Sequence, residues 1–107
     1  MIQAKQDEFR MKSIEDLKSS SHIVASVLKN LANPNRLMIL CLLSQGELSV
    51  GELAVHIDLE QSPLSQHLAK LRAEKLVSTR KESQSVYYSI ADPNIEKIIA
   101  TLQSIYC

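Results

Sequence analysis

Residues 49–72 read SVGELAVHIDLEQSPLSQHLAKLR, and this stretch decides the fold. Ser49 is placed to cap a helix N-terminus. Glu52, three residues on, completes the reciprocal pattern in which hydroxyl and carboxylate each satisfy one orphan backbone N–H. Leu53, Ala54 and Ile57 give that helix an apolar face. Asp58, Leu59 and Glu60 form a tight turn, with Leu59 expected to tuck into the core. Ser62 is the expected cap of a second helix, with Pro63 at its first position, where the missing N–H costs nothing. Leu64, Leu68 and Leu71 recur at helical spacing and face inward, which leaves Ser65, Gln66, Ala69 and Lys70 pointing outward. Two short helices joined this way make a helix-turn-helix, whose second helix can enter the major groove of DNA. Ser and Gln bond base edges there, and Lys meets phosphate or guanine. The same residues would also suit a plain solvated helix, so the segment that follows has to discriminate.

That segment is LVSTRKESQSVYYSI, residues 76–90. Val77, Thr79, Val86, Tyr88 and Ile90 place β-branched and aromatic residues near period two, and the polar Glu82, Ser83 and Gln84 lie between them. The pattern predicts a β-hairpin directly after the second helix, a wing whose strand carries Arg80 and Lys81 toward the tip. A helix-turn-helix followed by a basic hairpin is far more specific than either part alone. The expected fold is mainly α with a β-hairpin wing, about five helices in all.

Working outward, Ile14 to Leu31 reads as a helix with Leu17, Val24, Val27, Leu28 and Leu31 apolar. Asn33 and Pro34 restart the chain as cap and first helical residue. The following Leu37-Met38-Ile39-Leu40-Cys41-Leu42-Leu43 is apolar all round, which predicts a central buried helix, ended by Gly46. Asp92-Pro93 opens a last helix with Ile95, Ile98, Ile99, Leu102 and Ile105 apolar. Residues 1–12 are expected to be flexible or partly helical, and 13–107 to form a single domain. The first and last helices carry wide aliphatic faces. Intramolecular packing would absorb them; a homodimer through these two helices is the favoured arrangement, because it sets two reading helices about one DNA turn apart, as a palindromic operator requires.

The chain has 107 residues, enough for one small domain whose limited core would gain from dimerisation. Lys and Arg total 12, as do Asp and Glu, so bulk charge does not drive indiscriminate nucleic-acid binding. Distribution matters more: residues 62–85 carry Lys70, Arg72, Lys75, Arg80 and Lys81 against Glu74 and Glu82. A basic face on a neutral protein suits site-specific binding to double-stranded DNA. No apolar run reaches membrane-spanning length, and the charged start MIQAKQDEFRMKSIEDLK lacks a signal-peptide core, so the expected location is cytoplasmic, with no membrane partner. No acid–base pair, nucleophile triad, Gly-rich phosphate loop or Cys-x-x-Cys is present, which argues against an enzyme; no cofactor is implied.

The order helix, helix, helix-turn-helix, wing, helix resembles the ArsR/SmtB family of bacterial winged-helix repressors. The resemblance covers about residues 21–107 and is carried by Leu31-Ala32-Asn33-Pro34-Asn35-Arg36-Leu37, by Glu47-Leu48-Ser49-Val50-Gly51-Glu52-Leu53, and by Ser62 through Arg72. It implies a homodimeric repressor that releases DNA when an inducer binds. It also implies that Gln61, Ser62, Ser65 and Gln66 lie at base-reading positions, joined by Lys70 on the helix and by Arg80, Lys81 and Gln84 of the wing on phosphates or the minor groove. Many members sense metals. The family's helix-three site needs Cys-x-Cys where this chain has Ser49-Val50-Gly51, and Ser and Gly cannot replace soft thiolates. The last-helix zinc site needs His ligands, and no His follows His67. His22, His56 and His67 form no ligand pair at helical spacing, so no metal is expected.

Cys41 and Cys107 are the only cysteines. Alone, Cys41 reads as a small buried hydrophobe and Cys107 as a terminal residue without a role. Their pairing closely resembles the HlyU/BigR-like branch of the family, which keeps one Cys in its second helix and one near the end of its last. The resemblance implies redox sensing of reactive sulfur species by this dithiol, with a sulfur-bridged link in each subunit and weakened DNA binding. Peroxide sensing through a sulfenic acid is a competing chemistry. The sequence is also compatible with a regulator that displaces a silencing nucleoid protein, with a noncanonical metal sensor, and with a winged helix used only to bind another protein. It leaves open which thiol reacts first.

Overall fold

The computed structural model describes residues 13–107, and the expectation for residues 1–12 lies outside that range. Among the described residues, five helices and three strands follow in the order α1 (Ile14–Leu31), α2 (Pro34–Leu43), β1 (Leu48–Ser49), α3 (Val50–Ile57), α4 (Gln61–Ala73), β2 (Val77–Glu82), β3 (Ser85–Ile90) and α5 (Pro93–Tyr106). By its contacts the chain divides after Leu31, so that α1 lies in one unit and Ala32–Cys107 forms the other.

Helix α1 starts at Ser13, whose Oγ accepts the Asp16 N–H at 3.0 Å while the Asp16 carboxylate accepts the Ser13 N–H at 3.4 Å. Its apolar side chains Ile14, Leu17, Ile23, Val24 and Leu28 are exposed.

In the second unit, aliphatic side chains from four helices converge. Ile39 and Leu40 of α2, Leu53 of α3, Leu64, Leu68 and Leu71 of α4, and Ile95 and Ile99 of α5 are all fully buried. Burial of one such side chain contributes about 1.5–3 kcal/mol, so these eight anchor the unit. Asn33 caps α2 as its sequence suggests, its Oδ1 accepting the N–H groups of Asn35 and Arg36 at 3.0 and 3.1 Å. Helix α2 is not buried all round, however. Met38 is 43% exposed, because only one side of this helix meets the other helices of the unit.

The capping box of α3 forms as expected. Glu52 N–H donates to Ser49 Oγ at 3.2 Å, and Ser49 N–H donates to Glu52 Oε1 at 2.9 Å. Asp58 ends the helix in the left-handed region at φ 61°, donating its N–H to Ala54 O, and Leu59 is only half-buried rather than in the core. Helix α4 starts two residues earlier than its sequence suggests. Glu60 is the cap, without a side-chain capping bond, and Ser62 lies inside the first turn. The physical reason is that the Leu64 N–H reaches back to Glu60 O, while Pro63 still sits among the first-turn residues whose N–H groups have no helical partner.

Helix α4 closes through a Schellman motif. Leu76 N–H bonds Leu71 O at 3.0 Å and Lys75 N–H bonds Arg72 O at 2.9 Å. This requires Lys75 to adopt φ 61°, and the buried Leu71 and Leu76 flank it. The chain then enters the wing, where β2 and β3 pair antiparallel from Val77↔Ile90 to Glu82↔Ser85 around a turn at Ser83 and Gln84. Strand β1, too short to show a period in the sequence, adds Leu48↔Tyr88 and Ser49↔Tyr87 to give the sheet order β1-β3-β2.

Candidate nucleic-acid interface

The three buried leucines of α4 fix which side of that helix meets solvent. Gln61, Ser62, Ser65, Gln66 and Lys70 are all exposed. None of them has a side-chain hydrogen bond or ion pair within the described residues, so their donors and acceptors are available. His67 is half-buried on the same helix, whereas His22 and His56 are exposed.

Gln61 and Ser65 of α4 border a groove of about 360 Å³ whose other walls are Ser49–Gly51 at the start of α3 and Gln84–Val86 of the wing. The structure thus brings Gln61, Ser65 and Gln84, from two separate elements, to one concave surface. Ser62, Gln66 and Lys70 extend the exposed polar face along α4. Such a surface offers amide and hydroxyl groups suited to base edges, next to charges suited to phosphate.

The two basic residues of the wing differ. Lys81 is exposed and has no charged partner among the described residues. Arg80 is engaged. Its Nε and Nη2 donate to Glu47 Oε2 and Oε1 at 2.8 and 2.7 Å, its Nη1 donates to Glu82 Oε2 at 2.6 Å, and its guanidinium lies 4.7 Å from the Tyr87 ring centroid. The Arg80 hydrogen bonds hold the Glu47 carboxyl below the usual range, and the two carboxylates hold Arg80 still more firmly in its charged form. Glu52 is also lowered, first by the Ser49 backbone N–H and then by the Ser49 hydroxyl. Sequence reasoning does not find the Arg80 cluster. Arg80 and Glu82 are neighbours on one strand face, a weak signal, but Glu47 lies on a different element.

Cys41 is half-buried on α2 and Cys107, which follows α5, is exposed; both are free thiols. The two helices touch at Ser44, whose Oγ donates to Cys41 O at 2.6 Å and accepts Gln103 Nε2 at 3.5 Å. Among the described residues, no three His, Cys, Asp or Glu side chains come together as a metal-holding group. No helix among them is long and apolar enough to cross a membrane.

Residues 33–79 match the model of the bacterial regulatory protein arsR family. The transcriptional activator HlyU of Vibrio cholerae is 44% identical, over 89% of this chain and 88% of its own. The biofilm growth-associated repressor of Agrobacterium fabrum is 45% identical, over 78% of this chain and 72% of its own. The solved structure of reduced HlyU from Vibrio cholerae aligns with a TM-score of 0.85 at 45% identity, covering 88% of this chain and 99% of that one. The homodimeric winged helix-turn-helix DNA-binding domain Mb0332 of Mycobacterium bovis aligns with a TM-score of 0.73 at 35% identity, covering 89% of each.

Proposed function

The chain belongs to the arsR family of bacterial regulatory proteins, in its HlyU/BigR-like branch, and from that premise we propose a dimeric regulator whose operator binding is switched by reactive sulfur species through Cys41 and Cys107. That it is a transcriptional regulator and not an enzyme follows from the family itself. The observation that carries the reading is the exposed, uncommitted polar face of α4, bordered by the wing, within the unit that also holds both free thiols. Gln61, Ser62, Ser65 and Gln66 read bases, Lys70 and Lys81 meet phosphate, and Gln84 reaches DNA from the wing tip. Exposed apolar side chains on α1 and, at Ile105 and Tyr106, on α5 support a homodimer, the state in which the Mycobacterium bovis domain was solved. A two-fold dimer calls for a palindromic operator.

The switch is a thiol–persulfide exchange. One cysteine thiolate attacks the outer sulfur of a persulfide R–S–SH, breaking its S–S bond and releasing R–SH. The second thiolate then attacks the modified cysteine, closing a Cys41–Cys107 disulfide and releasing hydrogen sulfide. The two cysteine sulfurs are oxidised by two electrons in total and the persulfide is reduced by two. A second persulfide consumed in the same way leaves one extra sulfur in the bridge. In a reducing cytoplasm such a link forms as a signal rather than as a permanent staple.

The test starts from a labelled duplex selected by the wild-type protein out of a random-sequence pool. Fluorescence anisotropy at fixed salt is compared for reduced and persulfide-treated protein, with intact mass recorded on the same samples. Weaker binding with an intramolecular sulfur link is the expected result, and Cys41→Ser and Cys107→Ser should bind DNA yet no longer respond. Normal response of either variant sinks the two-cysteine mechanism. Unchanged binding after modification favours a second reading, displacement of a silencing nucleoid protein, which the activator role of HlyU supports. A response to hydrogen peroxide with a sulfenic acid adduct would instead name peroxide as the inducer.

A further inference from the structure

Three parts of the fold meet at one guanidinium. Arg80 stands on β2, opposite Tyr87 of β3 in the hairpin register, and over its ring. Glu47 belongs to neither strand of the wing. It lies in the turn that follows α2, one residue before β1, which is itself paired to β3 at Tyr87 and Tyr88. The two-pronged contact between Glu47 and Arg80 has the parallel geometry that makes a guanidinium–carboxylate pair directional as well as attractive. Glu82 takes the remaining side of the fork.

An arginine held between two carboxylates brings little net positive charge to a phosphate. Moving it onto DNA would also break three charge-assisted hydrogen bonds. Lys81, the next residue, carries no such ties. We propose that Glu47 is a positioning residue for operator binding: by gripping Arg80 it fixes the angle of the wing beside α4, without touching DNA itself. This inference rests on the reading of the chain as a DNA-binding regulator. It also gives Arg80 a bracing role in place of the phosphate contact expected from sequence.

The two roles predict opposite signs. By charge alone, removing a carboxylate near a polyanion tightens binding. If Glu47 braces the wing, removing it weakens binding. The experiment measures anisotropy on the selected duplex across a series of salt concentrations for wild type, Glu47→Ala, Arg80→Ala, the double variant, and a swapped pair carrying Glu47→Arg with Arg80→Glu. Glu47→Ala and Arg80→Ala should each weaken binding by about tenfold or more, Arg80→Ala at least as much because it also gives up Glu82 and Tyr87, and the double variant should be no worse than Arg80→Ala, since the Glu47 contact is already lost there. Their salt slopes should match wild type. The swapped pair, with the ion pair reversed, should bind more tightly than the double variant Glu47→Ala with Arg80→Ala, though short of wild type because a carboxylate at position 80 faces Glu82, an outcome that excludes simple misfolding of the single variants. Binding by Glu47→Ala equal to or tighter than wild type overturns the inference, as does a slope for Arg80→Ala shallower by about one phosphate contact. Absence of duplex binding by the wild type overturns the regulator reading itself, which separates the two failures.

Discussion

Along α4 the exposed side chains of Gln61, Ser65, Gln66 and Lys70 have no partners among the described residues, whereas on the wing Arg80 is tied to Glu47, Glu82 and Tyr87. Both elements border the same groove. The difference follows from what holds each in place. Helix α4 is seated by buried leucines on its far side, so its polar face is spare. A two-stranded hairpin is marginal by itself and needs bracing, and here polar side chains supply part of it. Exposure of a basic residue is therefore a poor guide to its task unless its partners are counted.

The largest effect should come from unseating α4. Leu68→Ala removes a completely buried side chain and should lower unfolding free energy by about 2–5 kcal/mol in a denaturant titration. Loss below about 1 kcal/mol would mean that α4 is not held by its leucines, and the contrast with the wing would collapse. Next, Gln66→Ala should cost about 1–3 kcal/mol of operator affinity and relax sequence preference, with stability unchanged. If affinity falls equally for every sequence, Gln66 is not reading bases. On the wing, Lys81→Ala should weaken all sequences alike and reduce the salt slope by about one, the change not expected for Arg80→Ala. A slope that stays the same removes Lys81 from the contacts.

Two smaller effects concern how the elements are closed. Lys75→Gly relieves a left-handed backbone at the α4–wing junction and should stabilise the fold by roughly 1 kcal/mol, read as a higher melting temperature. A lower melting temperature would show that the Lys75 side chain outweighs its backbone. Finally, Glu47 and Glu52 both have folded-state pKa values below their usual 4.5. A lowered carboxyl binds fewer protons folded than unfolded, so its contribution is complete above the ordinary value and is lost as pH falls through the lowered folded ones. Melting temperature should therefore drop through that acid range, and less so for Glu52→Gln. An identical acid profile for wild type and Glu52→Gln would take Glu52 out of the balance.

Much of the fold is legible in the sequence because its signals are local. The Ser49–Glu52 box, the Asn33-Pro34 start of α2, the Asp92-Pro93 start of α5 and the leucine spacing of α4 all lie within a turn or two of sequence. The start of α4 reads two residues late because a serine before a proline imitates a cap that Glu60 supplies with its backbone alone. Strand β1 escapes a sequence reading because two residues cannot display alternation. In the candidate site, the spare face of α4 follows from the leucine period, but the Glu47–Arg80 contact spans 33 residues and no periodicity encodes it.

Ser49 serves two elements at once: it caps α3 through its hydroxyl and forms a rung of the sheet with Tyr87. The hairpin is consequently not a detachable module. Grafting residues 77–90 onto another scaffold would leave one edge of β3 without its short partner, and with it the register that aligns the arm to the reading helix. A transplant that works should need to carry Glu47, Leu48 and Ser49 along, so the natural unit of exchange in this protein begins well before the arm does.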